Sequence, residues 1–538
     1  MLQPKTQGID IRFITRYLVE QVTRACFTTA KIQHSYSINM TGKINDFGQP
    51  NRNFVTGADS ENEDKRKERS RSLRPRPLHV EVEINAMCTT SLPILRNQWK
   101  DFFRSTDLEL FREDEDGSIC LDRSKLPNNI LSSTVSISID RSTCDQQVLQ
   151  GLENFSRSSH LPEVHPFILS TEEVGTEELD PSAAGGGGDD EWTAACDILT
   201  LPHESLHGLW NNLIFEPSLK RTLLDYAQSA LLFSDKDVSS HIVTWNRMIL
   251  LYGPAGTGKT SLCRALAHKL AIRLGHRFPS GTTLLEVHSH SLFSKWFSTS
   301  GKLVSALFQL VRDMVQDEPD SLVCVLIDEV ESLALARGSK SNSGDPSDAM
   351  RAVNSLLTSL DRLKAFPNVL VLATTNLTGS VDSAFIDRVD LKLHVGMPIL
   401  EARYEILRSC LIELQRVGII RSEATESNID QNMGLWESSS SLVASFPKAL
   451  SQLEKEKEKI KNSSSLKDDE IKYSAIRMLV ECAQLSEGLS GRSLRRLPLQ
   501  AHAQFLNGSD NIPVNEYLEA MICAIQAERA SRVSMAAG

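Results

Sequence analysis

Residues Gly253, Pro254, Ala255, Gly256, Thr257, Gly258, Lys259, Thr260 and Ser261 place three glycines just before a lysine and two hydroxyl side chains. Glycines let backbone N–H groups curl around phosphate oxygens, a following helix adds the positive end of its dipole, and a lysine reaches the outer phosphates. Thr260 can then hold a magnesium ion, so the chemistry this run suits is binding of a nucleoside triphosphate. Downstream, the apolar run Leu322 to Ile327 ends in Asp328 and Glu329. It delivers two carboxylates to the strand edge where open α/β sheets bind ligands. Asp328 suits the metal's water ligands, and Glu329 suits the water that attacks a γ-phosphate in line. A second apolar run, Val369 to Ala373, leads through Thr374 and Thr375 to Asn376. Its amide can hydrogen-bond a γ-phosphate or the attacking water, although Asn alone also marks turns. Asp387 and Arg388 follow, suited either to a neighbouring subunit's phosphate or to a surface salt bridge. Gly491 and Arg492 open a later helical segment and, on their own, read as a cap beside a solvated cation.

These residues need elements to position them. Met248 to Tyr252, Thr283 to Val287, Leu322 to Ile327 and Val369 to Ala373 are short apolar runs, each followed by a helical segment. That pattern predicts an α/β fold with a parallel sheet covered on both faces. The Ala- and Leu-rich stretch Ser261 to Ile272 supplies the helix after the glycine loop, and Leu206 to Leu232 also has helical periodicity. Beyond Pro398 the chain reads as a helical domain with polar inserts around 437–441 and 454–470. Earlier, the alternation of Val80, Val82 and Ile84, and of Val135, Ile137 and Ile139, predicts half-buried strands in a small α/β module. Between Thr171 and Glu191 stand eight acidic residues, no basic ones and the tract Gly185 to Gly188, a composition expected of a flexible linker. The expected organisation is a polar extension over 1–77, an N-terminal α/β domain over 78–168, the linker over 169–200, an ATPase domain over 201–396 and a helical lid over 397–531.

The chain of 538 residues carries a net charge of −11 and is 41% hydrophobic. This composition favours protein partners over nucleic acid, and direct nucleic-acid binding is not expected. Locally, Lys65 to Pro77 holds seven Lys or Arg in thirteen residues, which suits a solvated linker, a nuclear-import signal or a nucleic-acid arm. Ten cysteines without a CxxC pair point to neither a zinc site nor a disulfide framework, and so to a reducing compartment. No apolar run approaches the ~18 residues of a membrane span, and the chain is expected to be soluble and intracellular. Ile11, Ile14, Leu18 and Val22 lie at helical spacing beside arginines, but Asp10 and Glu20 count against a targeting helix.

The glycine loop, the strand ending in Asp328 and Glu329, the strand ending in Asn376 and the Asp387-Arg388 segment together resemble the ATPase module of the AAA+ superfamily. Longer stretches at 206–210, 231–236, 291–297, 326–333 and 487–492 narrow the resemblance to the pachytene checkpoint AAA+ ATPase family, known also by its thyroid-receptor-interacting member. The likeness is close over roughly 200–400, good over 470–530 and weak over 78–170. It implies ATP and Mg2+ as cofactors and a homohexamer with ATP between subunits. It makes Asn376 a sensor, Arg388 an arginine finger acting in trans and Arg492 the lid's contact to the γ-phosphate. Many members carry two arginines where this chain has only Arg388. The resemblance also places Trp296 and Phe297 on a pore loop that grips a threaded polypeptide, with Ser298 where the usual glycine would stand. Read without the family, the two aromatics lie in a Ser-rich segment that is neither a helical nor an alternating apolar face; packing is the other reading. His288 and His290 flank that segment as an incidental pair rather than a metal site. The implied activity is conversion of closed HORMA-domain proteins to the open state, with or without an adaptor, in meiotic chromosome-axis control and spindle-checkpoint silencing. The implied location is the nucleus, with the cytoplasm second. Two other functions fit less of the chain: an AAA+ motor on DNA, supported only by the basic run, and a nucleotide-switched scaffold, which would not need Glu329, Asn376 and an arginine together.

Overall fold

A computed structural model describes residues 78–537 apart from 106–110, 114–118, 122–125, 141–161, 180–192, 290–299, 332–345, 377–380, 422–444, 454–474 and positions 240, 448 and 452. The expectations for 1–77, for the polar inserts and for Trp296, Phe297 and His290 therefore lie outside the described residues.

In the N-terminal module the period-two alternation of β1 (His79–Ile84) aims Val80, Val82 and Ile84 at α1 (Leu92–Ser105). The helix returns Leu95, Trp99 and Phe103, spaced one turn apart on one face. β2 (Phe111–Glu113) and β3 (Ile119–Leu121) form a separate ribbon. β4 (Thr134–Asp140) pairs antiparallel with β1, and β5 (Glu163–Phe167) pairs parallel with its other edge. The expectation of a half-buried β1 needs correcting. Its polar face is buried too, with His79 9% and Glu81 5% exposed, because that face packs on a charged helix of the next domain.

β6 (Gly175–Leu179) and β7 (Thr193–Leu201) correct the linker reading, since both belong to the main sheet. β7 runs antiparallel to β9 (Thr282–Val287) from Cys196 opposite Val287 to Leu201 opposite Thr282. Acidic composition hid β6 because an edge strand needs ladder pairing on one side only, and its charged side chains blunt that edge. The ATPase domain continues with α2 (Pro217–Asp235), β8 (Met248–Tyr252), α3 (Lys259–Leu274), α4 (Ser300–Asp317), β10 (Leu322–Ile327), α5 (Pro346–Leu363), β11 (Val369–Thr375) and β12 (Leu391–His394). The sheet order is β12-β8-β11-β10-β9-β7-β6, parallel from β12 to β9. Along β10, Val323, Val325 and Ile327 face α4 and α5, while Leu322, Cys324 and Leu326 face α2 and α3. Burial on both sides is why these strands are continuous apolar runs.

The lid packs α6 (Leu400–Arg416), α7 (Ala475–Leu485), α8 (Gly491–Phe505) and α9 (Val514–Ala537) around Tyr404, Leu479, Leu494 and Tyr517. No described helix is long and apolar enough to cross a membrane.

On α3, His268 is 4% exposed and its Nε2 has no hydrogen-bond partner. Burial, reinforced by the nearby His207, pushes the imidazole down from 6.5 to about 4. The fold therefore binds fewer protons than the unfolded chain between those two values, and stability should fall as pH drops through that window. About 2 kcal/mol should be lost at pH 5 relative to pH 7. Urea midpoints of wild type and His268→Leu at both pH values test this; an unchanged pH slope in the variant would remove His268 as its source.

Candidate nucleotide-binding and hydrolysis site

β8 ends at Tyr252 and α3 begins at Lys259, so the glycine loop spans the C-terminal edge of the central sheet. Two glycines are required by close approach as well as by positive φ. A Cβ on Gly253 (φ 149°) would lie 2.2 Å from the Val395 carbonyl oxygen, and one on Gly256 (φ 77°) would lie 2.8 Å from Ser490 Oγ. The loop is thus wedged between the end of β12 and the lid.

Lys259 is 5% exposed, and its Nζ donates to the carbonyl oxygens of Gly253 (2.9 Å) and Pro254 (2.8 Å) and to Asn376 Oδ1 (2.7 Å). Burial holds the ammonium below the usual lysine range, opposed by the charges of Glu331, Asp328 and Glu329. All three close acceptors are neutral, which leaves the cation available to an anionic ligand. Thr260 Oγ1 donates to Asp328 Oδ1 at 2.8 Å. This pair of hard oxygen donors suits a magnesium ion.

β10 presents Asp328 and Glu329 just past its end. Ser289 Oγ donates to the Asp328 carbonyl oxygen at 2.6 Å, and Thr374 Oγ1 donates to Asp328 Oδ1. Glu329 has φ 53°, a left-handed backbone unusual for a glutamate, and its N–H donates to Thr374 Oγ1 at 3.2 Å. At the end of β11, the Asn376 N–H donates to Glu331 Oε1 at 3.0 Å. Thr374, 1% exposed, and Glu331, 7% exposed, were missed from the sequence. The available signal was their position, one within the Thr-Thr-Asn run and the other two residues beyond Glu329.

The lid closes the site. The Arg492 N–H donates to the Gly256 carbonyl oxygen at 3.1 Å, and Ser490 Oγ caps α8 by accepting from the Ser493 N–H at 3.3 Å. Between the two domains lies a cavity of ≈1030 Å³. Lys259, Asp328, Glu329 and Asn376 line one side, Arg492, Arg495 and Arg496 another, and Leu213, Phe215, Ile399 and Ile406 supply an apolar wall. Cations, loop amides and a helix N-terminus around one space favour a polyanion, and the apolar wall suits the flat base of a nucleotide.

Thus the structure brings together the loop from Gly253 to Ser261, Asp328, Glu329, Asn376 and Arg492. It does not bring Arg388 to this cavity. Arg388 instead forks onto Asp361, Nε to Oδ1 at 3.0 Å and Nη2 to Oδ2 at 2.7 Å, and Nη1 donates to the Ala384 carbonyl oxygen at 2.6 Å. The hydrogen bonds from Arg388 hold the Asp361 carboxyl below its usual range. His288 Nε2 lies 3.0 Å from Asp197 Oδ2, a carboxylate partner.

Residues 249–397 match the ATPase family associated with various cellular activities (AAA), and residues 399–529 match the TRIP13-like, AAA+ ATPase lid C-terminal domain. The chain is 46% identical over 367 residues to the Pachytene checkpoint protein 2 homolog of Oryza sativa subsp. indica, covering 68% of this chain and 71% of that relative. It is 40% identical over 374 residues to the Homo sapiens homolog, covering 70% of this chain and 77% of the relative. Among solved structures it is similar to C. elegans PCH-2, with a TM-score of 0.59 and 28% identity over 85% of this chain and 100% of that one.

Proposed function

Since the chain belongs to the Pachytene checkpoint protein 2 family of AAA+ ATPases, we propose that it works as a homohexamer that uses ATP to convert closed HORMA-domain proteins to the open form. The observation that carries this reading is the cavity shared by the ATPase domain and the lid, joined by the Arg492 to Gly256 hydrogen bond. A ligand held there contacts both domains, so its hydrolysis changes how they meet. In this scheme Lys259 and the loop amides hold the phosphates, Thr260 and Asp328 hold Mg2+, and Asn376 orients the attacking water for Glu329. Magnesium would neutralise charge developing on the phosphoryl oxygens. Arg492 reports the γ-phosphate to the lid, and Trp296 and Phe297 grip the client. The family's roles imply action at chromosomes in the nucleus, with the cytoplasm as a second location.

Arg388 is assigned the finger reaching a neighbouring subunit. Its pair with Asp361 is partly exposed, with side chains 26% and 39% accessible, and such a pair is worth only about 0–1 kcal/mol. Arg388→Ala should therefore lower ATP turnover by ~10³-fold or more with nearly unchanged thermal stability, while Asp361→Asn should retain turnover. Equal losses in both variants would make the pair an internal brace and take the finger role from Arg388.

The test of the whole reading is steady-state ATPase with a closed HORMA-domain protein, with and without a candidate adaptor, and separately with DNA. Stimulation by the HORMA protein, and a Trp296→Ala protein that hydrolyses ATP without opening the client, are the expected results. Stimulation by DNA alone would move the function to a DNA motor.

A further inference from the structure

On the polar face of the N-terminal sheet, β1 and β5 run parallel with His79 opposite Glu163 and Glu81 opposite His165. Side chains two apart on β5 share a face, so Glu163 and His165 flank the ring of His79. His79 Nδ1 lies 3.0 Å from His165 Nε2 and 3.6 Å from Glu163 Oε2, and His165 Nε2 lies 4.0 Å from the same oxygen. A triangle with sides 3.0, 3.6 and 4.0 Å has a circumradius of about 2.1 Å, so one point lies about 2.1 Å from all three atoms. Zinc sits about 2.0–2.2 Å from imidazole nitrogen and carboxylate oxygen.

We propose that His79, His165 and Glu163 form a binding site for a first-row divalent metal ion, Zn2+ by the character of its ligands, on the face of the N-terminal domain that meets the ATPase domain. Two imidazoles and one carboxylate form a donor set that holds zinc with a fourth position open. Of the three ligands Glu163 is the accessible one, with a side chain 49% exposed, while the side chains of His79 and His165 are 11% and 3% exposed. Burial of the two rings restricts them to small movements about these positions. Without metal one ring donates a hydrogen bond to the other; with metal that proton moves to the far nitrogen of the same ring, and each ring tilts so that the two freed lone pairs meet the ion beside the N–N line. Two nearby cations are offset by carboxylates and do not oppose it at full strength. Lys269 and Arg273 are paired with the carboxylates of Glu81 and Asp140.

The test uses full-length protein stripped with EDTA, kept in excess Mg2+ and without nucleotide, then titrated with Zn2+ against a chromophoric chelator. Wild type should bind one Zn2+ per chain that Glu163→Gln and His165→Asn bind at least tenfold more weakly. A Co2+-loaded protein should show the visible absorption of a low-coordinate nitrogen-ligated ion, lost in His165→Asn. Glu163 is half-exposed, so Glu163→Gln decides the matter if the buried histidine variant fails to fold. Zinc binding of equal strength in wild type and Glu163→Gln, or none in wild type, would overturn the site. The readout is independent of ATP turnover and of the remodelling function.

Discussion

Glu329→Gln protein is expected to bind ATP with near wild-type affinity and to turn it over about 10²–10⁴ times more slowly. The exchange preserves shape and the backbone that carries it. The residue-329 N–H still reaches Thr374 Oγ1, and the same hydroxyl still donates to Asp328. What is lost is a carboxylate, lining the cavity, able to draw a proton from the attacking water. Lys259 and Thr260 are untouched, so phosphate binding should persist. Lys259→Ala should do the reverse and abolish binding, because its ammonium is the cation nearest the loop carbonyls. Binding of a fluorescent ATP analogue beside single-turnover hydrolysis separates the two. A Glu329→Gln enzyme that hydrolysed at the wild-type rate would take the water-activating role from this residue.

The second large effect concerns stability. Lys269 and Arg273, with side chains 4% and 1% exposed, face Glu81 and Asp140 at 6% and 2%. Lys269 Nζ lies 2.6 Å from Glu81 Oε1 and 3.0 Å from Asp140 Oδ2, and Arg273 bonds the same Asp140 oxygen. Asp140→Ala leaves two buried cations sharing one carboxylate. Removing one member of a buried ion pair costs about 3–5 kcal/mol, because the remaining charge keeps its desolvation penalty without its partner. Equilibrium urea denaturation followed by circular dichroism should show that loss. Replacing all four residues by packed apolar side chains should recover most of it. A loss below about 1 kcal/mol for Asp140→Ala would mean that water reaches these charges.

Much of the candidate site's lining was legible because its residues are consecutive or sit at the ends of apolar runs. Met248 to Tyr252 and Leu322 to Ile327 are strands over the residues read from the sequence, since strands buried on both faces leave an unbroken apolar signature. β12 was missed because it is short and Lys392 interrupts it. β7 was absorbed into the acidic stretch beside it. The polar residues of β1 looked solvent-facing because their partners, Lys269 and Arg273, lie far along the chain, and local periodicity cannot report a charge matched at that distance. The same holds for Thr374 and Glu331, whose importance lies in hydrogen bonds to Asp328 and Asn376. Arg388 shows the converse. Its motif position suggested a phosphate, and within this chain its guanidinium rests on Asp361.

One helix joins the glycine loop to the N-terminal domain. α3 starts at Lys259, beside the phosphate loop, and reaches Lys269 and Arg273, which hold the N-terminal sheet. At ~1.5 Å per residue it is a strut about 24 Å long, with no joint along it. A load applied to the N-terminal domain is therefore delivered to the glycine loop by a stiff rod rather than dissipated in a linker. Its far anchorage is made of charges, whose attraction falls off gradually with distance, unlike the contact forces of interlocked apolar side chains. A small shift of the sheet at the end of the rod would therefore weaken that hold by degrees rather than release it at once.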